Sequence, residues 1–464
     1  MRASLATSIA VTCAAVLALP ASLAAPAAAT APPAVAALPP GPEELPGSTQ
    51  SLPLVPLDGS VRGFGGGTGA DPGERGLARR DVRPFSLVGV VWDDPTAALH
   101  GAVQVRTRAT GGGTWSEWQD VETHNDEHGA DPETAEGASR ALKGSTAPLW
   151  VGDSDGVEIR VRGEDQLPEG LRLELVDPGA DRAGTAPQVR TAAVGAGPTA
   201  AEAAASAVNS QLAPYGAAWI PALSKEETEV TFRHFPQEAR RPQTTPAKTA
   251  QAAPVAAVAA KPYIGPRPKI ITRKGWGADE KLREKGFVYT KSVKAAFVHH
   301  SATGNNYTCR QAPSVLRGIY RYHVLSSGWR DFGYNFAVDK CGTIYEGRAG
   351  GVAKPVLGAH TLGFNTNSMG VAVLGTYSKT NPPAAVLTAV AKLTAWKLGL
   401  HGVDPKGTTY LTSGGGNLYK KGTKVKLRTI AGHRDGFATE CPGARLYGKL
   451  ATARTTSAKY QGRR

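Results

Sequence analysis

Two stretches without a sustained hydrophobic period, residues 30–78 and 179–262, divide this 464-residue chain and limit where a core can form. The first is rich in Pro, Ala and Gly, the second in Ala, Pro, Thr and Gln. Sequence of that kind buries too little apolar surface to offset its ordering entropy and reads as extended segment or linker. Folded structure is therefore expected at about 79–178 and at 263–464. Two domains are also what the length implies.

The start of the chain sets the compartment. Met1-Arg2 is followed by a mostly Ala, Val and Leu run to Leu23, then by small residues from Ala25. This pattern reads as a secretory signal over residues 1–29 and implies an exported protein, secreted or associated with the cell wall. Ser8, Thr12 and Pro20 interrupt the apolar run, which argues against a retained anchor, and no later stretch suits a transmembrane segment.

In the first block, Phe85–Trp92 is a short apolar run, and Val103–Arg108, Val157–Arg162 and Leu171–Val176 alternate with period two. Several short alternating strands separated by turns predict an all-β, sandwich-like domain. Trp115 and Trp118 flank a Gly-rich turn; packing is the ordinary role for such residues, and stacking on sugar rings is the alternative. The acidic stretch His124–Glu136 reads as a solvated loop, with cation binding as the alternative.

The second block mixes strands and helices, an α/β pattern. Val293–Thr303 is a strand ending in His299-His300, and because neighbouring strand residues face opposite ways, only one of the two histidines can point into a given site. Arg310–Leu325 reads as a helix, and Pro383–Leu400 carries Val386, Val390, Leu393, Trp396 and Leu400 as a helical stripe. Tyr334, Phe336 and Val338 are expected on one strand face, and Ser368–Gly375 as a buried strand. Past the signal, three cysteines remain: Cys309, Cys341 and Cys441. Exported cysteines tend to pair, so an odd number leaves one over, and metal ligation is a role for it. His433 and Cys441 stand eight positions apart across a Gly-containing loop. Two imidazoles and a thiolate suit Zn²⁺, and three protein ligands leave the fourth position for water, the mark of a catalytic zinc site.

These segments together resemble the peptidoglycan recognition protein family and the type 2 N-acetylmuramoyl-L-alanine amidases. The resemblance runs from about 268 to 450 and rests on His299-His-Ser-Ala302, Asp331-Phe-Gly-Tyr-Asn-Phe336, Tyr345-Glu-Gly-Arg348, Gly358-Ala-His-Thr361, Gly432-His-Arg-Asp435 and Cys441-Pro-Gly443, in that order. It implies a central mixed β-sheet with flanking helices. It also implies a zinc ion held by His299, His433 and Cys441, with Tyr334 and Thr439 as catalytic residues and His300, Arg348, His360 and Asn365 as substrate contacts. The implied reaction is hydrolysis of the amide between N-acetylmuramic acid and L-Ala of the peptidoglycan stem. A peptidoglycan-binding protein without turnover is the alternative, and members of that kind typically lack the ligand cysteine that this chain keeps. With Cys441 given to zinc, Cys309 and Cys341 are left to form a disulfide.

Charge adds a partner class. Residues 262–464 hold 32 Lys+Arg against 9 Asp+Glu, while the rest of the chain holds 21 against 30. A basic domain behind an acidic leader suits anionic cell-wall polymers in addition to muramyl peptides. No recognisable nucleic-acid-binding module accompanies the charge, and export disfavours that partner. The chain is expected to be a monomer.

Overall fold

The computed structural model describes residues 47–57, 74–125, 127–163, 166–179, 200–210, 212, 217–232 and 263–464. The segment read as an export signal lies outside these residues. The N-terminal block is a sheet of eight strands: β1 (Ser48–Pro53), β2 (Val55–Pro56), β3 (Glu74–Trp92), β4 (Gly101–Ala109), β5 (Gln119–Val121), β6 (Gly144–Ser145), β7 (Leu149–Gly163) and β8 (Arg172–Asp177). The main path runs β1-β8-β3-β7-β4-β5, with β2 and β6 also paired to β3. All pairings are antiparallel. Register shifts between β3 and β7 at Leu77/Arg80, Asp81/Phe85 and Phe85/Leu87 interrupt the ladder, the usual way in which long strands are made to bend. Val88, Val90, Val103, Val105, Val157, Ile159, Leu173 and Leu175, the inward members of the alternating runs, share one core.

Two boundaries expected from composition do not hold. Part of the segment 30–78 is ordered: β1 pairs with β8 along six residues, from Ser48–Asp177 to Pro53–Arg172. It is an edge strand, where Pro53 is tolerated and few apolar residues are needed, so it carries little periodic signal. Part of the expected linker 179–262 also belongs to the C-terminal domain. It contributes α1 (Ala200–Ala207), β9 (Trp219–Ile220) and α2 (Lys225–Thr231). Ser224 and Glu227 form a capping box that starts α2. Leu212, Ile220 and Phe232 are buried in the C-terminal core.

The C-terminal domain continues with β10 (Ile270–Ile271), α3 (Arg273–Trp276), β11 (Ala295–His300), α4 (Ala312–Arg321), β12 (Phe336–Val338), β13 (Ile344–Glu346), β14 (Ser368–Val373), α5 (Ala384–Leu400), β15 (Thr408–Thr412), β16 (Lys424–Arg428), β17 (Ile430–Gly432), α6 (Ala444–Tyr447) and α7 (Leu450–Tyr460). Seven strands form a mixed sheet in the order β17-β11-β14-β12-β13-β10-β9, and β15 and β16 form a separate hairpin. β11 is parallel to both β14 and β17, so the C-terminal ends of these strands open on the same edge. Val386, Val390, Leu393, Trp396 and Leu400 of α5 join Val298, Phe336, Val338, Val371 and Val373 in one core, as the helical stripe requires. The expected helix at 310–325 is shorter in its α part: α4 is preceded by a 3₁₀ turn at Cys309–Gln311 and followed by a π turn at Tyr322–Ser326.

Tyr334 does not share a face with Phe336 and Val338. Those two lie in the α5 core, whereas Tyr334 clusters with the α4 residues Val315, Leu316 and Ile319. The ladder begins only at Phe336, so strand alternation does not extend back to position 334. The α4 cluster also takes in Leu87, Val91, Trp150 and Val176, so α4 lies between the two sheets. The hydroxyl of Tyr322 donates to the carbonyls of Val90 (3.2 Å) and Thr146 (3.0 Å), and a Cβ at Gly89 would stand 2.4 Å from that hydroxyl. The two blocks are therefore joined by a packed interface inside one compact unit, residues 44–464.

Candidate metal centre

His299 is the fifth residue of β11 and His433 follows the last residue of β17, so the parallel pairing of these strands brings the two imidazoles side by side, ring centroids 4.5 Å apart. A 3₁₀ turn at His433–Asp435 redirects the chain; Asp435 accepts from the Gly432 amide (2.9 Å) and from the Tyr447 hydroxyl (2.6 Å), which fixes the turn. The loop then returns Cys441, whose Sγ lies 3.8 Å from His299 Nδ1. The Cys441 amide donates to Thr439 Oγ1 at 3.1 Å. His300 points the other way, as strand alternation demands: its Nδ1 accepts from the Tyr377 amide at 3.2 Å, and burial lowers its pKa to about 4.

A fourth residue completes the cluster. His128, from the connection between β5 and β6 of the N-terminal sheet, stands with its ring 4.6 Å from His433, 5.4 Å from His299 and 5.7 Å from Tyr334. One ligand atom from each of His128, His299, His433 and Cys441 can be chosen so that all lie within 4.8 Å of one another. Among the described residues, the ring nitrogens of His128 and His433 make no hydrogen bond, and Glu127 Oε1 stands 3.9 Å from His128 Nδ1. Buried polar atoms left in that state are costly unless something else binds them. Burial first, and then the neighbouring imidazoles, keep His299 and His433 well below the usual histidine range, in the neutral form that ligates. Burial pushes the Cys441 thiol up, with Glu127 adding to it, and a divalent cation would reverse that balance. Three imidazoles and a thiol converging on one point fit zinc better than a hard cation such as Mg²⁺.

The remaining site residues surround this cluster. The ring of Tyr334 is 5.2 Å from that of His299. Burial raises its phenol well above the ordinary tyrosine value, with Cys441 and Glu127 adding to it, so it stays protonated. Thr439 donates its hydroxyl to Glu127 Oε1 at 2.7 Å. His360 is buried, with Nδ1 3.0 Å from Thr361 Oγ1, and Thr361 Oγ1 is 3.4 Å from His299 Nε2. Asn365 Oδ1 accepts from the amides of His360 (2.7 Å) and Thr361 (3.1 Å), which fixes the Gly358–Asn365 loop behind His299. Arg348 is buried and paired through two nitrogens with Glu136 (2.7 and 2.8 Å). Cys309 and Cys341 form the disulfide, and Cys441 is free and buried.

One expectation changes. The acidic stretch His124–Glu136 is not a solvated loop: Glu127, Asp131 and Glu136 are buried against the C-terminal domain. Its histidine escaped notice because it lies far from the other ligands and in the other block; the one signal was the clustering of acids and His that permits cation binding. Trp115 and Trp118 are half-buried and pack against guanidinium groups, Arg79 at 5.0 Å from the first and Arg160 at 4.1 Å from the second, the ordinary role expected for them. Glu440, next to the cysteine, has a side chain 78% exposed that pairs with Arg434 at 3.5 Å.

A buried His/Cys cluster at the strand ends of a mixed sheet defines a class, an α/β domain with a candidate metal centre. Comparison with known proteins narrows it. Residues 289–444 match the family model for N-acetylmuramoyl-L-alanine amidase, and residues 33–203 match one described as Rv3811 N-terminal galactose-binding domain-like. Peptidoglycan-recognition protein SC2 of Drosophila melanogaster is 29% identical over 185 residues, covering 39% of this chain and 85% of that protein. The human N-acetylmuramoyl-L-alanine amidase is 30% identical over 192 residues, covering 40% of this chain and 28% of that protein. Among solved structures, wild-type Drosophila PGRP-LB is similar at 28% identity and a TM-score of 0.31, over 39% of this chain and 92% of its own. The C-terminal part of this chain belongs to the peptidoglycan recognition protein and type 2 N-acetylmuramoyl-L-alanine amidase family.

Proposed function

We propose that this chain is an exported, zinc-dependent N-acetylmuramoyl-L-alanine amidase, cutting the amide between N-acetylmuramic acid and L-Ala of the peptidoglycan stem. The observation that carries the reading is the convergence of His299, His433 and Cys441 with Tyr334 beside them, inside a domain of amidase-family sequence. Retention of Cys441 favours turnover over binding alone. When bound, zinc supplies Lewis acidity, polarising the scissile carbonyl and making water acidic enough to attack at neutral pH. His299 and His433 would hold the ion through neutral imidazoles and Cys441 through its thiolate. Tyr334 and Thr439 carry hydroxyl donors beside the cluster, suited to the negative charge that grows on the carbonyl oxygen. His300, Arg348, His360 and Asn365, all buried around the centre, would contact the substrate or hold the loops that do. Export is supported by the leading sequence and by the disulfide, which suits an oxidising compartment. Among the described residues no helix is long and apolar enough to cross a membrane. The basic C-terminal domain suits attraction to anionic wall polymers.

The test is mass analysis of purified peptidoglycan after incubation with the zinc-loaded chain and with its His128→Ala variant, each with and without a chelator. Expected products are stem peptides beginning at a free L-Ala amine and glycan bearing a free lactyl carboxyl group, both suppressed by chelation. Cleavage at another bond, or none by either protein, would overturn the assignment.

A further inference from the structure

We propose that His128 is a fourth protein ligand of the metal, and that the segment 127–136 holds this chain in a closed, latent form. The inference rests on the zinc-centre reading above and goes beyond it. Catalytic zinc sites keep one position for water or substrate, whereas sites with four protein ligands are closed. Here the fourth donor comes from the other block of the chain than the other three, and among the described residues its ring nitrogens make no hydrogen bond, Glu127 Oε1 standing 3.9 Å from Nδ1.

The segment that carries His128 is fastened at several points independent of the metal. Glu127 accepts from Thr439 (2.7 Å), and its main-chain carbonyl accepts from the Leu362 amide (3.0 Å). Asp131 accepts from the Gly363 amide and from Asn365 Nδ2, both at 2.8 Å. Glu136 neutralises the buried Arg348, whose charge brings the Glu136 carboxyl below its ordinary value although burial alone would raise it. Thr439, Arg348 and Asn365, three residues that the family resemblance assigns to chemistry or substrate contact, are thus satisfied by the chain's own acids and carbonyls. The opening beside Tyr334, His300 and Cys441 is narrow, with about 30 Å³ free for the centres of water-sized spheres, and Glu127 and His128 of this segment line it. Substrate can therefore reach the centre only when this segment leaves, which frees one metal position and three polar residues together.

The test uses the full chain with Co²⁺ in place of zinc, reading the visible ligand-field spectrum while azide is added as a small exogenous ligand. The wild-type spectrum should show a four-coordinate site indifferent to azide. His128→Ala should shift with azide and lose cobalt to a chelator about 10-fold faster or more, the scale on which supporting shells alter metal affinity. Glu136→Gln leaves all four ligands in place but loosens the Arg348 anchor, and should give a partial azide response; it carries the comparison should His128→Ala fail to fold. A wild-type spectrum as responsive to azide as the variants' would overturn the proposal while leaving the metal centre standing. Azide indifference in all folded variants would also overturn it. Failure of the wild-type chain to bind cobalt would remove the centre itself, and the proposal with it.

Discussion

Cys441 and Tyr334 divide the work of the site between holding the metal and reacting. Cys441 is buried among imidazoles and lies 3.8 Å from His299, so an oxygen in place of its sulfur gives a harder, poorer ligand. Cys441→Ser should lose most bound zinc, measured by metal analysis after gel filtration. Full zinc content in that variant would remove the cysteine from the ligand set. Tyr334 touches the same cluster but brings only a protonated phenol. Added to the His128→Ala chain, whose site the account leaves open, Tyr334→Phe should keep zinc and fold yet lose roughly 10²-fold in kcat, the scale for one transition-state donor; a near-normal rate would make the residue a packing group. At this scale three ligands were legible in the sequence because His299, His433 and Cys441 each sit in a short local motif with a strand or Gly turn beside it. His128 was not legible, because its position depends on how two separately folded sheets pack.

Elements were legible where burial imposes a period. The stripe on α5 and the continuous apolar run of β14 appear as expected, every residue of β14 being buried. Edge elements were not: β1 is an edge strand with few apolar residues and β9 is only two residues long, so neither carries a periodic signal. The disulfide belongs to this scale. It ties the 3₁₀ turn that precedes α4 to the turn after β12, closing a loop between positions 32 apart. In the chain-entropy account such a loop contributes roughly 3 kcal/mol. Cys341→Ser should lower unfolding free energy in denaturant titrations by about that amount. A change near zero would mean that the packing of α4 between the two sheets holds this region without the bond.

For the molecule as a whole, the two sheets share a core through α4, and the blocks that composition separates are not independent. Leu87, Val91, Trp150 and Val176 are each buried against the α4 cluster, and burying a side chain of that kind contributes roughly 1.5–3 kcal/mol. Buried polar bonds add to it: Ser326 donates to Glu174 at 2.8 Å, and Arg348 is paired with Glu136. Calorimetry of the intact chain should therefore show one cooperative transition. Two separated transitions would mean that the interface contributes little and the blocks unfold alone. A fragment of residues 263–464 should aggregate, since it exposes the apolar face of α4 and loses α2 and β9.

The claim on which the account turns is that one metal centre is assembled from both blocks. The most direct measurement is anomalous diffraction at the zinc edge from crystals of the zinc-loaded full chain. The account predicts a single ion bonded to nitrogens of His128, His299 and His433 at about 2.0–2.1 Å and to Cys441 Sγ at about 2.3 Å. An ion held by His299, His433 and Cys441 with water in the fourth position and His128 turned away, or no ion at this cluster, would contradict it.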